Sequence, residues 1–382
     1  MEKLIYFDNA ATTFPKPEEV YRRVDHVLRN VGGNPGRSGH RMALSANRVI
    51  LDARDSVAGL LNIEDSSRVV FTSGATEALN LGIKGFLRPG DHVITSGMEH
   101  NAVVRPLRAM ERKGVQVTKV KCSPEGFLDP GDIKKAIRRD TRLIVIIHAS
   151  NVTGTINPVK EIGEIARERG VKLLVDAAQT AGALPIDVVR DNIDMLACAG
   201  HKSLFGLQGT GFLYISPDIQ LEPIKEGGTG GASDMDEVPE TLPERFEAGT
   251  MNTPGIGGLG AGVEFILREG LEKIRSHEAG LTDRLIRGLL NIEKVIVYGP
   301  RDSGRQVGVV SFNINGKDPS DVGFILDSSF GIMARVGLHC APDAHKTVGT
   351  FPHGTVRLSP GYFNTVEEMD VVVDAVNKIA SL

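Results

Sequence analysis

The chain is poor in cysteine, in excess charge and in long apolar runs, and each shortage excludes something. Three cysteines, Cys122, Cys198 and Cys340, are spread over 382 residues. They are too few and too scattered for a disulfide framework or a paired-cysteine metal knuckle, and an odd cysteine raises the question of a nucleophile instead. Basic residues number 44 against 48 acidic, a net charge of −4. A nucleic-acid surface needs a basic stripe, and none is present; the run Arg167, Glu168, Arg169 reads as a solvated helix face. The longest apolar runs, such as residues 143–147, fall far below the roughly 18 residues that cross a bilayer. Asp8 interrupts the first apolar stretch before a signal peptide's core could form. Cytoplasm is therefore the expected location, with neither membrane nor nucleic acid as partner. No internal repeat or low-complexity tract is visible.

What is present is ordinary globular material. Apolar content of 41% supplies a core, and the length accommodates two or three domains. Short β-rich runs at residues 68–72, 92–96, 116–121, 143–148, 172–176, 195–199 and 211–215 alternate with amphipathic stretches. In one of these, 159–169, Ile162, Ile165 and Ala166 share a face. This alternation predicts an α/β fold, a mainly parallel sheet wrapped by helices, with ligands at the carboxyl ends of its strands. Residues 226–231 and Ser233 read as an irregular glycine-rich loop. Beyond about residue 255 the pattern changes to helices at 257–272 and 274–290, strands at 295–298 and 307–314, and a last helix at 366–379. We expect a large domain over 14–255 and a smaller α+β domain over 256–382, joined by the first 13 residues.

The strongest chemical signal lies between Asp176 and Lys202. Residues 173–176 form an apolar strand ending in a carboxylate, and residues 195–199 form another ending in Gly200, His201 and Lys202. Two opposite charges at one sheet edge suit a salt bridge. They equally suit a cofactor whose pyridinium nitrogen pairs with the carboxylate and whose aldehyde takes the lysine. Residues 71–78 run from strand to helix through Thr72, Ser73, Gly74, Ala75 and Thr76, a start that fits either a capped helix or a phosphate site. His100, Asn151 and Gln179 each follow a strand end, so the polar groups converge on one edge. Cys340 stands between Gly337 and Pro342, which argues for a loop, whereas Cys198 lies in an apolar strand and Cys122 follows one. A cation beside Cys340, either Arg335 or His339, would favour its thiolate; a structural or zinc-bound thiol with His339 is the alternative.

Three blocks together resemble the class V aminotransferase group of fold-type I enzymes, which depend on pyridoxal phosphate, and within it the cysteine desulfurases. The first is Asp176, Ala177, Ala178, Gln179; the second is Gly200, His201, Lys202 with Gly209, Thr210, Gly211; the third is Arg245, Phe246, Glu247, Ala248, Gly249, Thr250. Weaker matches extend from Tyr6 through Thr13 to Arg357. The segment Arg335, Gly337, His339, Cys340, Ala341 is similar to the short cysteine segment of the SufS-like branch, which includes selenocysteine lyases. By this resemblance Lys202 forms the Schiff base, Asp176 pairs with the pyridine nitrogen and Gln179 contacts the ring hydroxyl. His100 stacks on the ring and acts in proton transfer. Residues 75 and 76 with His201 hold the phosphate, and Thr250 does so in the neighbouring subunit of a homodimer. Arg357 and Asn151, with Arg335, contact the substrate. Ala199 and Ala75 depart from the hydroxyl residues common at those positions.

The resemblance implies conversion of L-cysteine to L-alanine, with the sulfur received by Cys340 as a persulfide. A protein or small thiol then accepts it, and iron–sulfur clusters are the expected destination. Selenocysteine lysis or a transamination on the same scaffold are the nearest alternatives, and a non-catalytic sulfur carrier is the alternative of a different kind.

Overall fold

The computed structural model describes residues 4–36, 39–230, 234 and 236–382. Gly231 and Ser233 of the glycine-rich segment lie outside the described residues. The strands in chain order are β1 (Ile5–Tyr6), β2 (Val69–Thr72), β3 (His92–Ser96), β4 (Gln116–Val120), β5 (Thr141–Ile147), β6 (Lys172–Asp176) and β7 (Met195–Ala199). They continue with β8 (Gly211–Ile215), β9 (Val295–Tyr298), β10 (Val310–Ile314), β11 (Ile332–Met333), β12 (Arg335–Gly337) and β13 (Thr355–Leu358).

A seven-stranded sheet of order β2-β8-β7-β6-β5-β3-β4 carries the large layer. All its neighbours are parallel except β8, which runs antiparallel to both β2 and β7. Strands β3, β7 and β8 are buried at every residue, as expected where helices cover both faces of a parallel sheet. Because β8 is reversed, Gly211 opens it at the edge where β2 and β7 end. A Cβ at Gly211 would stand 2.5 Å from the Gly74 Cα, so glycine lets the turn after β2 close on the sheet.

The helix Thr253–Glu269 runs against the large layer and places Ile256, Leu259, Val263 and Ile266 in one apolar cluster with Val175, Leu196 and Phe212. The boundary expected at residue 255 falls inside this helix. It starts earlier than the sequence pattern predicted, because the Asn252 side chain caps the Gly255 amide at 3.1 Å and Pro254 occupies the first turn. It also stops earlier, at Gly270 with φ 87°. Its glycines permit close approach to the helices Glu18–Asn30 and Arg41–Leu61: a Cβ on Gly260 would meet Ala53 Cβ at 2.8 Å. Those two helices were not foreseen from periodicity.

The second sheet, of order β12-β13-β10-β9, is antiparallel throughout. Its core gathers Leu285, Phe312, Val356 and Val376 from β10, β13 and the helices Leu271–Leu290 and Val366–Ser381. The strand expected from residue 307 begins at Val310, since Gln306 bridges to Thr155 and residues 307–309 close a tight turn. The amino-terminal segment belongs to this layer. β1 pairs in parallel with β11, and Ile5 and Phe7 enter the same core. Among the described residues no helix is long and apolar enough to cross a membrane.

Candidate active site

Strand ends build the site. β2, β3, β5, β6 and β7 all finish at one edge of the large sheet, and the residues just after them line a cavity of about 320 Å³. Its wall includes Ser73, Gly74, Ala75 and Thr76 after β2, His100 after β3, Asn151 after β5, Asp176 and Gln179 at β6, and Ala199, His201 and Lys202 at β7. The smaller layer closes it with Arg335, His339, Cys340 and Arg357. Every candidate residue from the sequence meets here except Thr250, which is exposed and absent from the wall of its own chain's cavity.

Asp176 is buried and accepts the Ala178 amide at 2.9 Å. Burial pushes its carboxyl up, while the Ala178 amide and Lys202 pull it back. Lys202 is brought down to about 8, first by burial, with Asp176 opposing and Arg357 assisting. Its amine is thus closer to neutrality than an exposed lysine. The carbonyl of the preceding residue, His201, is held by the Thr13 amide at 3.1 Å and by Lys16 Nζ at 2.8 Å, so the lysine turn is anchored from the amino-terminal segment.

His100 caps the helix Asn101–Glu111, accepting the Ala102 amide on Nδ1 at 3.0 Å. That bond assigns the ring proton of the neutral form to Nε2. Burial, then Lys202 and three arginines, bring its pKa down to about 4, so it is neutral near pH 7. Gln179 donates from Nε2 to the Ala10 carbonyl at 3.0 Å. Gly74 precedes the helix Ala75–Phe86, whose first amides face the cavity end occupied by Thr76.

Arg357 is almost wholly buried and lies opposite Arg335 on the paired strands β12 and β13. Asp8 accepts from its Nη2 at 2.7 Å and the Asn151 carbonyl from its Nη1 at 2.9 Å, which leaves Nε unpartnered. Asn151 donates to the His339 carbonyl at 2.7 Å and keeps a buried Oδ1 without a partner. Cys340 is exposed, and Arg335 Nη2 reaches its Sγ at 3.7 Å. Arg335 is therefore the cation beside the thiol. His339 is not: burial and then Arg357 take its pKa down to about 2, and its Nε2 pairs with Thr355 at 3.0 Å. Among the described residues no cluster of three or more histidine, cysteine or acidic side chains is arranged to hold a metal.

His339 and Cys340 both take left-handed backbone angles, φ 47° and 58°, uncommon for residues with a side chain. The conformation is fixed by its surroundings. The Cys340 carbonyl accepts the Asn101 amide at 2.8 Å, which ties the cysteine turn to the helix that His100 caps. Burial raises the other two thiols, Cys122 to about 11 and Cys198 well above the usual range, as expected for packing residues. Sequence reading missed Asp8, Lys16 and Glu99. Asp8 was visible only as part of the weak match around Tyr6 to Thr13.

A pocket at the strand ends of such a sheet, with a buried aspartate facing a lysine, defines a fold-type I transferase site, and the chain belongs to the class V aminotransferase family, whose model matches residues 5–372. It is 40% identical to a probable cysteine desulfurase of Methanothermobacter thermautotrophicus over 99% of this chain and 95% of that one. It is 36% identical to a cysteine desulfurase IscS of Methanosarcina thermophila, covering 99% and 92%. A solved structure of cysteine desulfurase from Thermococcus onnurineus, without ligand, superposes with a TM-score of 0.92 at 35% identity, covering 99% of this chain and 95% of the other.

Proposed function

We propose that this chain is a pyridoxal-phosphate-dependent cysteine desulfurase, working on L-cysteine and receiving its sulfur on Cys340. The observation that carries this is the meeting of an exposed cysteine with Lys202, Asp176 and His100 around one cavity. The residues present fit the cofactor. A buried carboxylate suits a pyridinium nitrogen, a lysine of lowered pKa suits its aldehyde, and a helix start with Thr76 suits its phosphate. His201, whose buried Nδ1 has no partner, adds a group toward the same phosphate. Gln179 would meet the ring hydroxyl, and His100 would cover the ring face. Ala75 and Ala199 also line the cavity but carry no side-chain hydrogen bond, each a loss of about 0.5–1.5 kcal/mol relative to a hydroxyl.

When bound, pyridoxal phosphate supplies an electron sink that weakens bonds at the substrate's Cα. The chain supplies the rest. Arg357, fixed by Asp8 and Asn151, takes the cysteine carboxylate with its unpartnered Nε, and the Asn151 side chain assists. Lys202 removes the Cα proton, a task for which a pKa of about 8 is well placed. His100, neutral with its proton on Nε2, passes protons on the other side. The Cys340 thiolate attacks the substrate sulfur. An S–S bond forms and the C–S bond breaks, its electron pair going to carbon, which takes up a proton and leaves as alanine. The persulfide stands on an exposed residue, open to an acceptor thiol, and iron–sulfur cluster assembly is its destination.

The shortness of the cysteine turn favours the SufS-like branch, because Ala341 is already buried and the helix Pro342–Val348 follows at once. The exposure of Thr250, outside its own cavity, supports a homodimer in which it completes the neighbouring phosphate site. A cytoplasmic location fits this reading.

The test is direct. The purified protein with pyridoxal phosphate, L-cysteine and a reductant should release alanine and sulfide in equal amounts. Transfer of the amino group to a keto acid, with no sulfide, would overturn the desulfurase reading. A subtler effect is expected of Arg357→Lys, which keeps the charge but loses the planar fork. KM for L-cysteine should rise by about tenfold or more with a smaller change in kcat, as steady-state kinetics would show.

A further inference from the structure

Glu99 carries a carboxyl that the chemistry above leaves unused. It is wholly buried between the ends of β3 and β5. Its Oε1 accepts two hydrogen bonds, from Ser96 Oγ at 2.5 Å and from the Ile147 amide at 3.1 Å. Ser96 Oγ itself accepts the Met98 amide at 3.1 Å, so the hydroxyl proton is directed at Glu99. Oε2, equally buried, has no partner among the described residues.

Among the described residues no cation is hydrogen-bonded or ion-paired to this carboxyl. The charge that acts on it is Asp176, of the same sign, and Asp176 stands in register with Ile147 across β6 and β5. Cys122, after β4, also feels its charge, and His100 is the next residue along the chain. An ionised carboxylate would hold one oxygen desolvated and unpaired beside a second anion, the arrangement that burial penalises most. With both accepted bonds on Oε1, Oε2 is the oxygen left to carry the proton of a neutral acid.

We propose that Glu99 is a positioning residue, a neutral carboxylic acid that ties the end of β3, and His100 with it, to the end of β5 beside Asp176. It holds the two groups in their relative places without setting a second negative charge against Asp176. The role rests on the assignment of His100 and Asp176 to the cofactor; the neutrality of Glu99 does not.

Burial raises this carboxyl from the ordinary 4.5 to about 8, with the Ser96 and Ile147 bonds opposing. A raised acid binds its proton in the folded state where the unfolded chain has released it. The folded protein therefore loses stability as pH rises from about 4.5 to about 8, and the loss levels off above that. Glutamine at this position is permanently neutral and keeps the carbonyl acceptor.

Thermal unfolding of cofactor-free wild type and Glu99→Gln, measured from about pH 5 to about pH 8, should show a Tm difference that shifts steadily in favour of the variant as pH rises. A constant difference, or one that shifts the other way, overturns the neutral acid. Pyridoxal phosphate titration into the same proteins tests the positioning. Glu99→Gln should bind within about threefold of wild type near neutral pH, and Glu99→Leu, lacking the shared acceptor, about tenfold more weakly or worse. Equal binding by Glu99→Leu overturns the positioning role. A wild type that takes up no pyridoxal phosphate overturns the cofactor reading and that role together, and the unfolding data then still decide the charge of Glu99.

Discussion

Cys340→Ala should leave a protein that binds pyridoxal phosphate and L-cysteine but releases sulfide at least about 10³-fold more slowly, the scale on which loss of one member of a catalytic constellation acts. The geometry supports a clean separation of binding from turnover. The groups proposed to hold substrate, Arg357 and Asn151, are fixed by Asp8 and the His339 carbonyl, not by the thiol. The turn is held by the Cys340 carbonyl and by the His339 to Thr355 bond, and both survive loss of the sulfur. Alanine also tolerates φ 58° about as well as cysteine does, because each has a Cβ and neither is branched there. Cysteine should therefore still perturb the cofactor's visible spectrum in the variant. Full sulfide release would show that a different group takes the sulfur. Loss of the spectral response would show that Cys340 shapes the binding site.

Arg54→Ala should lower stability by about 3–5 kcal/mol, read as a fall in the urea midpoint with little change in slope. Arg54 and Glu247 form a buried, two-armed ion pair at 2.9 and 2.8 Å, with side chains 4% and 9% exposed. Arg54 also donates to the Val69 carbonyl and lies 4.6 Å over the Phe71 ring, while Glu247 accepts the Phe71 amide at 2.7 Å. Removing the arginine leaves the carboxylate buried with only that amide and strips a donor from β2. Arg54→Met with Glu247→Gln removes both charges and should recover a large part of the loss, since neither group is then left ionised and alone. If the single and double variants are equally destabilised, packing rather than charge explains the effect. The pair also tethers the stretch leading to Thr250, so the single variant should weaken cofactor binding in a dimer that shares this residue.

Legibility in the sequence followed burial on both faces. Strands at 92–96, 172–176, 195–199 and 211–215 match the structure to the residue, because each has an apolar or β-branched centre bounded by polar or glycine-bearing turns. Strands β1, β11, β12 and β13 were not visible, for two to four residues carry no period and their pairing is set by partners far along the chain. The helix Thr253–Glu269 was legible in its body but not at its ends, which the Asn252 cap and Gly270 set. At the site, residues at the ends of long strands could be placed on a common edge by the sheet rule alone. Asp8 and Glu99 could not, because what makes them matter is a buried Arg357 and an unpartnered oxygen, and neither has a sequence signature. His339 looked like a cation beside Cys340 because charge in a sequence says nothing of the desolvation that removes it.

The amino-terminal segment has a consequence for the order of assembly. Ile5 and Tyr6 pair with residues 332 and 333, Asp8 holds Arg357, Asn9 meets the Ser359 carbonyl, and Thr13 then reaches the carbonyl beside Lys202. These partners lie some 350 residues apart for Asp8 and Asn9, so they are among the most non-local contacts a chain of this length allows. The large sheet closes within residues 69–215 and has no need of them. On a ribosome residues 5–9 must wait for partners made more than 300 residues later. The lysine turn and Arg357 come under a common brace only after residues 332–359 have been made, so the pocket is completed late in folding.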